Sequence, residues 1–397
     1  MDEGPTTIPL FQCNDPLGCV DIAAGESIHI AWMQVTSGPF GLLGQSNVRG
    51  VQVALEEIGF EVLGHPIQWD GVDSLCTVEG GEAAAEQLAA DPSIVAIIGP
   101  TCAPEAQGGL PLLSDAGFVT LSPSITHPEF TDPNSLNHYP GFIRIAHNDV
   151  IQGQIAAEYT FNQLGLTTAA IIADESLYSR AISESFAETF TALGGQITAQ
   201  ANLTTGETEV VQTLAEMAAA DPQAIFFPVF EPLGASIASQ KCGVQGSQGT
   251  QMVGTDSLLT STFPIKAGEC SIGTALVGAY VDPASQPQFF SMYADAFGEG
   301  PSSPFATHAY DAMRLALAAI EAVAVPEADG SLHIPRQALR DQIMATSGFN
   351  GITGSLTCNS NGDCASGQAL AVFQITGENV SGSVDLLTNS PVWTANR

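Results

Sequence analysis

Eight cysteines are the residues of this sequence whose possible chemistry is easiest to assess. They stand at positions 13, 19, 76, 102, 242, 270, 358 and 364. Structural zinc sites usually show CxxC spacings beside a histidine or a second CxxC, and no such spacing occurs here. The even count therefore favours four disulfides in an oxidising compartment over free thiols. Sequence neighbours suggest the pairs Cys13–Cys19, Cys76–Cys102, Cys242–Cys270 and Cys358–Cys364, although eight cysteines allow on the order of 100 connectivities.

Catalytic motifs are missing from the chain. Its seven histidines are dispersed, and His127 and His308, which could lie near strand ends, are by default packing or surface residues. We find no HExxH, no GxSxG elbow, no GxGxxG after the first predicted strand and no GxxxxGK[ST] loop. Catalysis usually needs a nucleophile, a base and an orienting group together. We therefore expect a protein that is not an enzyme and that carries no cofactor or metal.

A calcium-like spacing occurs near the C-terminus, in the segment Cys-Asn-Ser-Asn-Gly-Asp-Cys. Asn359, Asn361 and Asp363 alternate there, as the first ligands of a calcium loop do. The usual initial Asp is missing, and Leu370 stands where such loops carry Glu. A turn held by Cys358 and Cys364 is the favoured interpretation over a metal site.

The charge balance restricts the partners. Lys and Arg total 9 and Asp and Glu total 42, which gives a formal net charge of −33. Nucleic acid and anionic membranes need a basic patch, so neither is expected as a partner. The hydrophobic fraction of 45% is too high for a disordered acidic chain and predicts a globular core.

The N-terminus lacks the basic region followed by an apolar one that is typical of an export signal. The sequence also has no run of ~18 apolar residues, the length needed to span a bilayer. We expect an extracytoplasmic mature chain whose leader was removed or replaced by a start Met. A lipid anchor on the precursor is compatible with this expectation.

The first two thirds of the chain alternate predicted strands and helices, which is typical of βαβ units with parallel sheets. Strands are expected at 27–35, 66–69, 94–98, 118–121, 169–173, 196–202, 224–227 and 252–253. Helices are expected at 45–58, 81–90, 148–164, 178–193, 207–220 and 233–242. Thr204 and Glu207 have the spacing of a capping box for the helix at 207–220.

The last third contains too few elements for a third sheet. Strands are predicted at 274–280, 355–356 and 370–375, and helices at 288–297, 307–323 and 335–346. These suit additions to two existing lobes, with the chain crossing between them more than once. We predict an N-terminal extension at 1–26, a first lobe at 27–146 plus 280–351, and a second lobe at 147–279 plus 352–397. A ligand would bind in the cleft, at the carboxyl ends of the strands.

Several segments resemble the branched-chain amino acid (Leu/Ile/Val) binding proteins of ABC importers, which are type I periplasmic binding proteins. The first is MQVTSGPFGLLGQSNVRGVQVALEEI at 33–58, and the second is IVAIIGPTCAPEAQGGLPLLSDAGFVTLSPSITHPEFTD at 94–132. Shorter matches follow at 173–195, 226–244, 254–258, 305–317 and 351–375. The resemblance covers about residues 27–376. It implies an α/β fold of two Rossmann-like lobes with parallel central sheets, joined by a multi-strand hinge.

The resemblance also implies how a ligand is held. The carboxylate of an amino acid would contact the backbone N–H of Ala103 and the hydroxyls of Ser124 and Thr126. Asp256 would hold the ammonium group, and Tyr178 would close over the ligand. The family often has Ser, Glu and Tyr at the positions of Ala103, Asp256 and Phe230.

The side chain of the ligand would meet Leu43, Phe230 and Phe305, which indicates an apolar or aromatic pocket. Glu231 lies next to Phe230 and could select a polar group instead. Cys102, paired with Cys76 as in some members, would lie beside the site.

Plainer interpretations remain open for these residues. Ser124 and Thr126 lie between prolines and could be turn or cap residues. Asp256 could cap a helix, and Tyr178 could simply pack. The apolar residues Leu43, Phe230 and Phe305 could belong to the core.

The sequence predicts an extracytoplasmic solute-binding protein that captures an amino acid or similar small molecule and delivers it to an ABC transporter permease. We expect it to be a monomer. The alternatives are a ligand-sensing domain of the same fold, for amides or amino acids, and a small-amide hydrolase.

Overall fold

Two sheets, each covered by helices, form the two lobes of the protein. The computed structural model describes residues 11–364 and 370–395. Among these residues, no helix combines the length and the apolar character needed to span a bilayer.

The first sheet is built from the N-terminal part of the chain. The strands of this part are β1 (Cys19–Ile22), β2 (Ile28–Gln34), β3 (Glu61–Val62), β4 (His65–Asp73), β5 (Ile94–Ile98), β6 (Thr120–Ser122) and β7 (Phe142–Arg144). The sheet order is β3-β4-β2-β5-β6-β7, and every pair except β3–β4 is parallel. The helices α1 (Gly41–Glu57), α2 (Val78–Ala89) and α3 (Ala103–Asp115) connect its strands.

The second sheet repeats the pattern. Its strands are β8 (Thr168–Asp174), β9 (Gln196–Leu203), β10 (Ala224–Phe226), β11 (Gln251–Thr255) and β12 (Ala275–Ala279), which pair in parallel. The helices around them are α4 (Asp149–Glu158), α5 (Leu177–Ala192), α6 (Val211–Ala219), α7 (Glu231–Gln240) and α8 (Phe263–Ala267).

The last third completes both lobes. Its elements are α9 (Pro287–Phe297), α10 (Ala306–Val323), β13 (Val325–Pro326), β14 (Leu332–Pro335), α11 (Arg336–Met344), β15 (Phe349–Gly351), β16 (Gly354–Leu356), β17 (Leu370–Gln374), α12 (Gly377–Ser381) and β18 (Trp393–Ala395). α10 packs against α1 beside the first sheet, whereas β17 and β18 add antiparallel strands to the second. The chain therefore crosses between the sheets three times, after β7, after β12 and before β17.

The predicted fold class is confirmed by this layout. β5 has five buried residues, as a central parallel strand should. Leu356 and Cys364 pack in the core around the first sheet, although the predicted division assigns them to the second lobe. The lobe boundaries themselves stay a prediction.

Two local expectations need correction. α6 begins at Val211, so Thr204 and Glu207 do not cap it. They form a turn upstream, in which the backbone N–H of Thr204 donates to Glu207 Oε2 at 3.3 Å. The short strands β1, β3, β7, β13, β14, β15 and β18 were not predicted, since two to four residues carry too little periodicity to recognise.

The cysteines form the four disulfides suggested by sequence proximity: Cys13–Cys19, Cys76–Cys102, Cys242–Cys270 and Cys358–Cys364. Cys76–Cys102 joins the segment before α2 to the residue before α3.

α2 and α3 approach each other closely because glycines face the backbone of the opposite helix. A Cβ at Gly81 would lie 2.1 Å from the carbonyl oxygen of Glu105, and one at Gly108 would lie 2.0 Å from that of Val78. Side chains do not separate the helices at these points. The disulfide and this close packing together fix where α3 begins.

We expect Gly81→Ala to destabilise the protein by about 1–3 kcal/mol, because its methyl group would overlap backbone that cannot yield. A thermal melt followed by circular dichroism checks this. Gly243→Ala is the control, since a Cβ there meets no atom within 4 Å. Equal melting temperatures for the two variants would contradict the packing argument.

Candidate functional site

One pocket between the sheets is lined by loops at the carboxyl ends of strands from both lobes. All nine predicted ligand contacts lie around it: Leu43, Cys102, Ala103, Ser124, Thr126, Tyr178, Phe230, Asp256 and Phe305. Four further lining residues are Thr101, Ile125, His127 and Ser257. The structure brings the predicted residues together, and their binding roles stay predictions.

The N-terminus of α3 forms one wall. Glu105 accepts hydrogen bonds from the backbone N–H groups of Thr101 and Cys102, and its other oxygen accepts one from Ser74 at 2.6 Å. Ala103 is the first helical residue, and the N–H groups of a first turn have no partner within the helix. This end of the pocket therefore suits an anion.

Burial raises the pKa of the Glu105 carboxyl to about 7, against the lowering effect of these hydrogen bonds. Glu105 consequently gains or loses its proton near neutral pH, directly behind the helix terminus.

The hydroxyl of Ser124 already has partners within the first lobe. It donates to the carbonyl oxygen of Thr101 at 3.0 Å and accepts from Asn47 Nδ2 at 3.1 Å. A ligand carboxylate would accept a hydrogen bond from this hydroxyl only after the hydroxyl rotates away from the carbonyl oxygen of Thr101. Thr126, 4% exposed, lies beside it on the same loop.

Asp256 lies on the second-lobe side of the pocket and is 2% exposed. Its Oδ1 is 2.7 Å from the hydroxyl of Tyr178, which is also 2.7 Å from Thr255 Oγ1. A phenol hydroxyl can donate only one hydrogen bond, and a carboxylate is the stronger acceptor. We therefore assign the hydrogen bond donated by Tyr178 to Asp256 Oδ1. Burial, followed by the charges of Asp256 and Asp149, raises the pKa of Tyr178 well above its usual value. Asp256 Oδ2 has no hydrogen-bond partner in the described structure.

His147 and Asp149 lie behind the pocket lining, near Asp256, and the sequence analysis missed both. His147 Nε2 is 3.3 Å from Asp256 Oδ2 and 3.1 Å from Gln152 Oε1. Asp149 is the first residue of α4, and both of its carboxylate oxygens are buried without a partner in the described part of the chain. In sequence, an acid at a helix start looks like a favourable charge near the helix dipole, so nothing distinguished it.

Aromatic rings form an apolar end of the pocket, next to Tyr178 and His147. Phe230 packs between Tyr178 and Phe40, with ring centroids 5.2 Å and 5.3 Å away. Phe305 stacks on His147 at 6.1 Å. Burial lowers the pKa of the His127 ring to about 4, so this lining residue is neutral at neutral pH. This end suits apolar groups.

Glu231 is not available to select a polar ligand group. Its Oε2 accepts from Thr260 at 2.6 Å and Thr262 at 2.7 Å, and its Oε1 is paired with Lys266 Nζ. Both oxygens are therefore in use within the second lobe.

The calcium-like spacing is used to build a turn. Asn359 Oδ1 accepts the backbone N–H groups of Asn361 and Asp363 at 2.9 and 3.1 Å, and Asp363 pairs with Arg144. Elsewhere among the described residues, Cys76, Cys102 and Glu105 lie close enough to share an ion, but their sulfurs are joined as a disulfide.

Similar proteins are known. The leucine-specific-binding protein of Salmonella typhimurium is 24% identical over 357 residues, which cover 89% of this chain and 92% of that protein. The crystal structure of a leucine binding protein from Thermotoga maritima matches with a TM-score of 0.78 and 24% identity, over 90% of this chain and 97% of that one. An ABC transporter solute binding protein from R. palustris, in complex with 4-hydroxybenzoate, matches with a TM-score of 0.79 and 18% identity, over 93% and 97%.

The sequence pattern of one family, described as periplasmic binding protein, matches residues 27–379. This range includes every residue that lines the pocket. It confirms the resemblance seen in the sequence, and with it a binding role instead of an enzymatic one. The chain belongs to the periplasmic binding protein family.

Proposed function

We propose that the pocket binds an α-amino acid with an apolar side chain. The charge arrangement of the pocket carries this proposal. On one side, Asp256 Oδ2 accepts no hydrogen bond and lies 3.3 Å from His147 Nε2. The N-terminus of α3 faces the pocket from the other lobe. No Lys or Arg is among the lining residues. A zwitterion supplies the cation that Asp256 lacks and the anion that the helix terminus favours.

Individual roles follow from this arrangement. The backbone N–H of Ala103 and the hydroxyls of Ser124 and Thr126 would hold the carboxylate. Asp256, oriented by Tyr178, would hold the ammonium group. The disulfide of Cys102 would keep the anion-binding wall in place.

An apolar ligand side chain is supported by the rings and by Glu231. Leu43, Phe230 and Phe305 would surround that side chain. Glu231 adds no open acceptor because Thr260, Thr262 and Lys266 occupy its carboxylate. Amino acids with a charged side chain would leave a charge unpaired at this end, which is costly in a closed pocket.

A benzoate-type ligand, as in the R. palustris protein, fits the pocket less well. Such a molecule has a carboxylate but no ammonium group, so it would leave the buried charge of Asp256 without a partner.

The mechanism we propose is hinge closure between the predicted lobes, 27–146 plus 280–351 and 147–279 plus 352–397. The ligand would dock on the first lobe, and the second lobe would then close over it. The three chain crossings would bend as the lobes rotate.

We further propose that the protein acts outside the cytoplasm as a monomer. It would deliver its ligand to an ABC transporter permease. A sensor of the same fold would use the same pocket, and a receptor gene beside this one in place of permease and ATPase genes would indicate that role.

Replacing Asp256 tests the ammonium contact. We expect Asp256→Asn to weaken L-leucine binding by at least about 100-fold, because a buried ammonium loses its counter-charge, at a cost of about 3–5 kcal/mol. Isothermal titration calorimetry measures the loss. Asp295→Asn, an exposed site on α9, is the matched control and should bind as the unmodified protein does. Equal affinities for L-leucine and 4-hydroxybenzoate in the unmodified protein would refute the amino-acid assignment.

Phe230→Ala tests the apolar end. We expect about a 10-fold weaker affinity for L-leucine, since roughly 1–2 kcal/mol of apolar contact is lost. Leu136→Ala, at a side chain that is 94% exposed, is the control and should leave the affinity unchanged. If Phe230→Ala improved the binding of L-aspartate as much as it weakened that of L-leucine, the end would not be apolar. Competition against a fluorescent or radiolabelled ligand gives both affinities.

A further inference from the structure

Asp149 is a buried acid that no protein group neutralises directly. It opens α4, immediately after the first crossing between the sheets, and it is 0% exposed. Neither carboxylate oxygen has a hydrogen-bond partner among the described residues. Leaving such a group charged in a protein interior is expensive.

The charged groups around Asp149 do not balance it. Arg144, on β7, is paired with Asp363 and also donates to the carbonyl oxygen of His127 at 2.9 Å. His147, two residues before Asp149, shares Nε2 between Asp256 and Gln152. The hydroxyl of Tyr178, on α5, is neutral.

The nearby charge of Asp256 makes ionisation of Asp149 harder still. Burial first, and then this charge, raise the pKa of the Asp149 carboxyl to about 7, although Thr126, His147 and Arg144 act in the opposite direction. Two carboxylates that share an enclosed region rarely ionise together without a cation. An ammonium group placed at Asp256 would be that cation.

We infer that Asp149 is a second acid of the ammonium end of the pocket, which gives up a proton to solvent when a ligand ammonium binds at Asp256. This inference rests on the proposed function. The step is balanced: a neutral Asp149 carboxyl and an ammonium-bearing ligand become an Asp149 carboxylate, the same ammonium in the closed pocket, and one proton in the buffer. Asp149 thereby favours ligands that bring a positive charge over ligands of the same shape without one.

The sign of the pH dependence follows. Below about pH 7 the unliganded carboxyl holds its proton, which must leave for the ligand to bind. The association constant should therefore rise with pH, by up to about tenfold per unit, and level off above pH 7. Glu105, behind the anion-binding wall, has the opposite effect, because its ionisation would repel a ligand carboxylate. Its contribution should weaken binding above pH 7.

Calorimetry tests the inference on the full chain. L-leucine is titrated at pH 6 in two buffers of different ionisation enthalpy, and the difference in heat gives the protons released. We expect close to one proton for the unmodified protein and about none for Asp149→Asn, whose affinity should also vary little between pH 5.5 and 7. Asp295→Asn, which removes an exposed acid on α9, is the matched control and should keep both the proton release and the rise with pH.

Two outcomes overturn the inference while leaving the proposed function intact. One is tight L-leucine binding without proton release, which would mean that Asp149 stays protonated. The other is proton release that persists in Asp149→Asn. If that variant does not fold, 4-methylpentanoate replaces it as a probe. This molecule is leucine without its amino group, and its binding should release no proton; release equal to that of L-leucine would overturn the inference. Failure of the unmodified protein to bind any amino acid at pH 8 would instead refute the proposed function.

Discussion

The pocket between the sheets contains a buried carboxylate and a helix N-terminus, but neither Lys nor Arg is among its lining residues. In a region closed to water, opposite charges must lie close together or ionisation is suppressed. Both responses occur here. Asp256 accepts a hydrogen bond from Tyr178, and its other oxygen accepts none and lies 3.3 Å from His147 Nε2. Asp149, whose carboxylate oxygens have no hydrogen-bond partner among the described residues, has a raised pKa. The pocket thus contains an acidic side chain but has no Lys or Arg in its lining to pair with it.

The anion-binding wall depends on packing that lies behind it. Gly81 and Gly108 allow α2 and α3 to touch through their backbones, and Cys76–Cys102 joins the segments that precede the two helices. Glu105 ties the backbone of Thr101 and Cys102 to the same point. The terminus of α3 is therefore fixed from three sides before any ligand arrives, which reduces the ordering cost of binding.

The sequence was sufficient to predict the fold class and nine of the thirteen residues that line this pocket, because strand–helix alternation and the family motifs share one order along the chain. It was insufficient at Asp149 and Glu231. A carboxylate at a helix start looks the same in sequence whether it faces water or a cleft, and only tertiary contacts decide that Glu231 is fully bonded. The cap assigned to Thr204 and Glu207 failed for a related reason: the spacing was right, but the helix begins later, at Val211. Strands as short as β13 depend on their partner β14 for recognition, and that pairing is not local.

The three crossings between the sheets also bear on synthesis. The core around the first sheet combines residues near the N-terminus, such as Ile28, with Ala309 and Leu356. The second sheet, which begins at β8, gains β17 and β18 only from the end of the chain. During translation, neither lobe can close its core until most of the polypeptide has left the ribosome. The partly exposed apolar strands must stay soluble in that interval, and the large excess of acidic side chains, by mutual repulsion, opposes association between chains that are still incomplete.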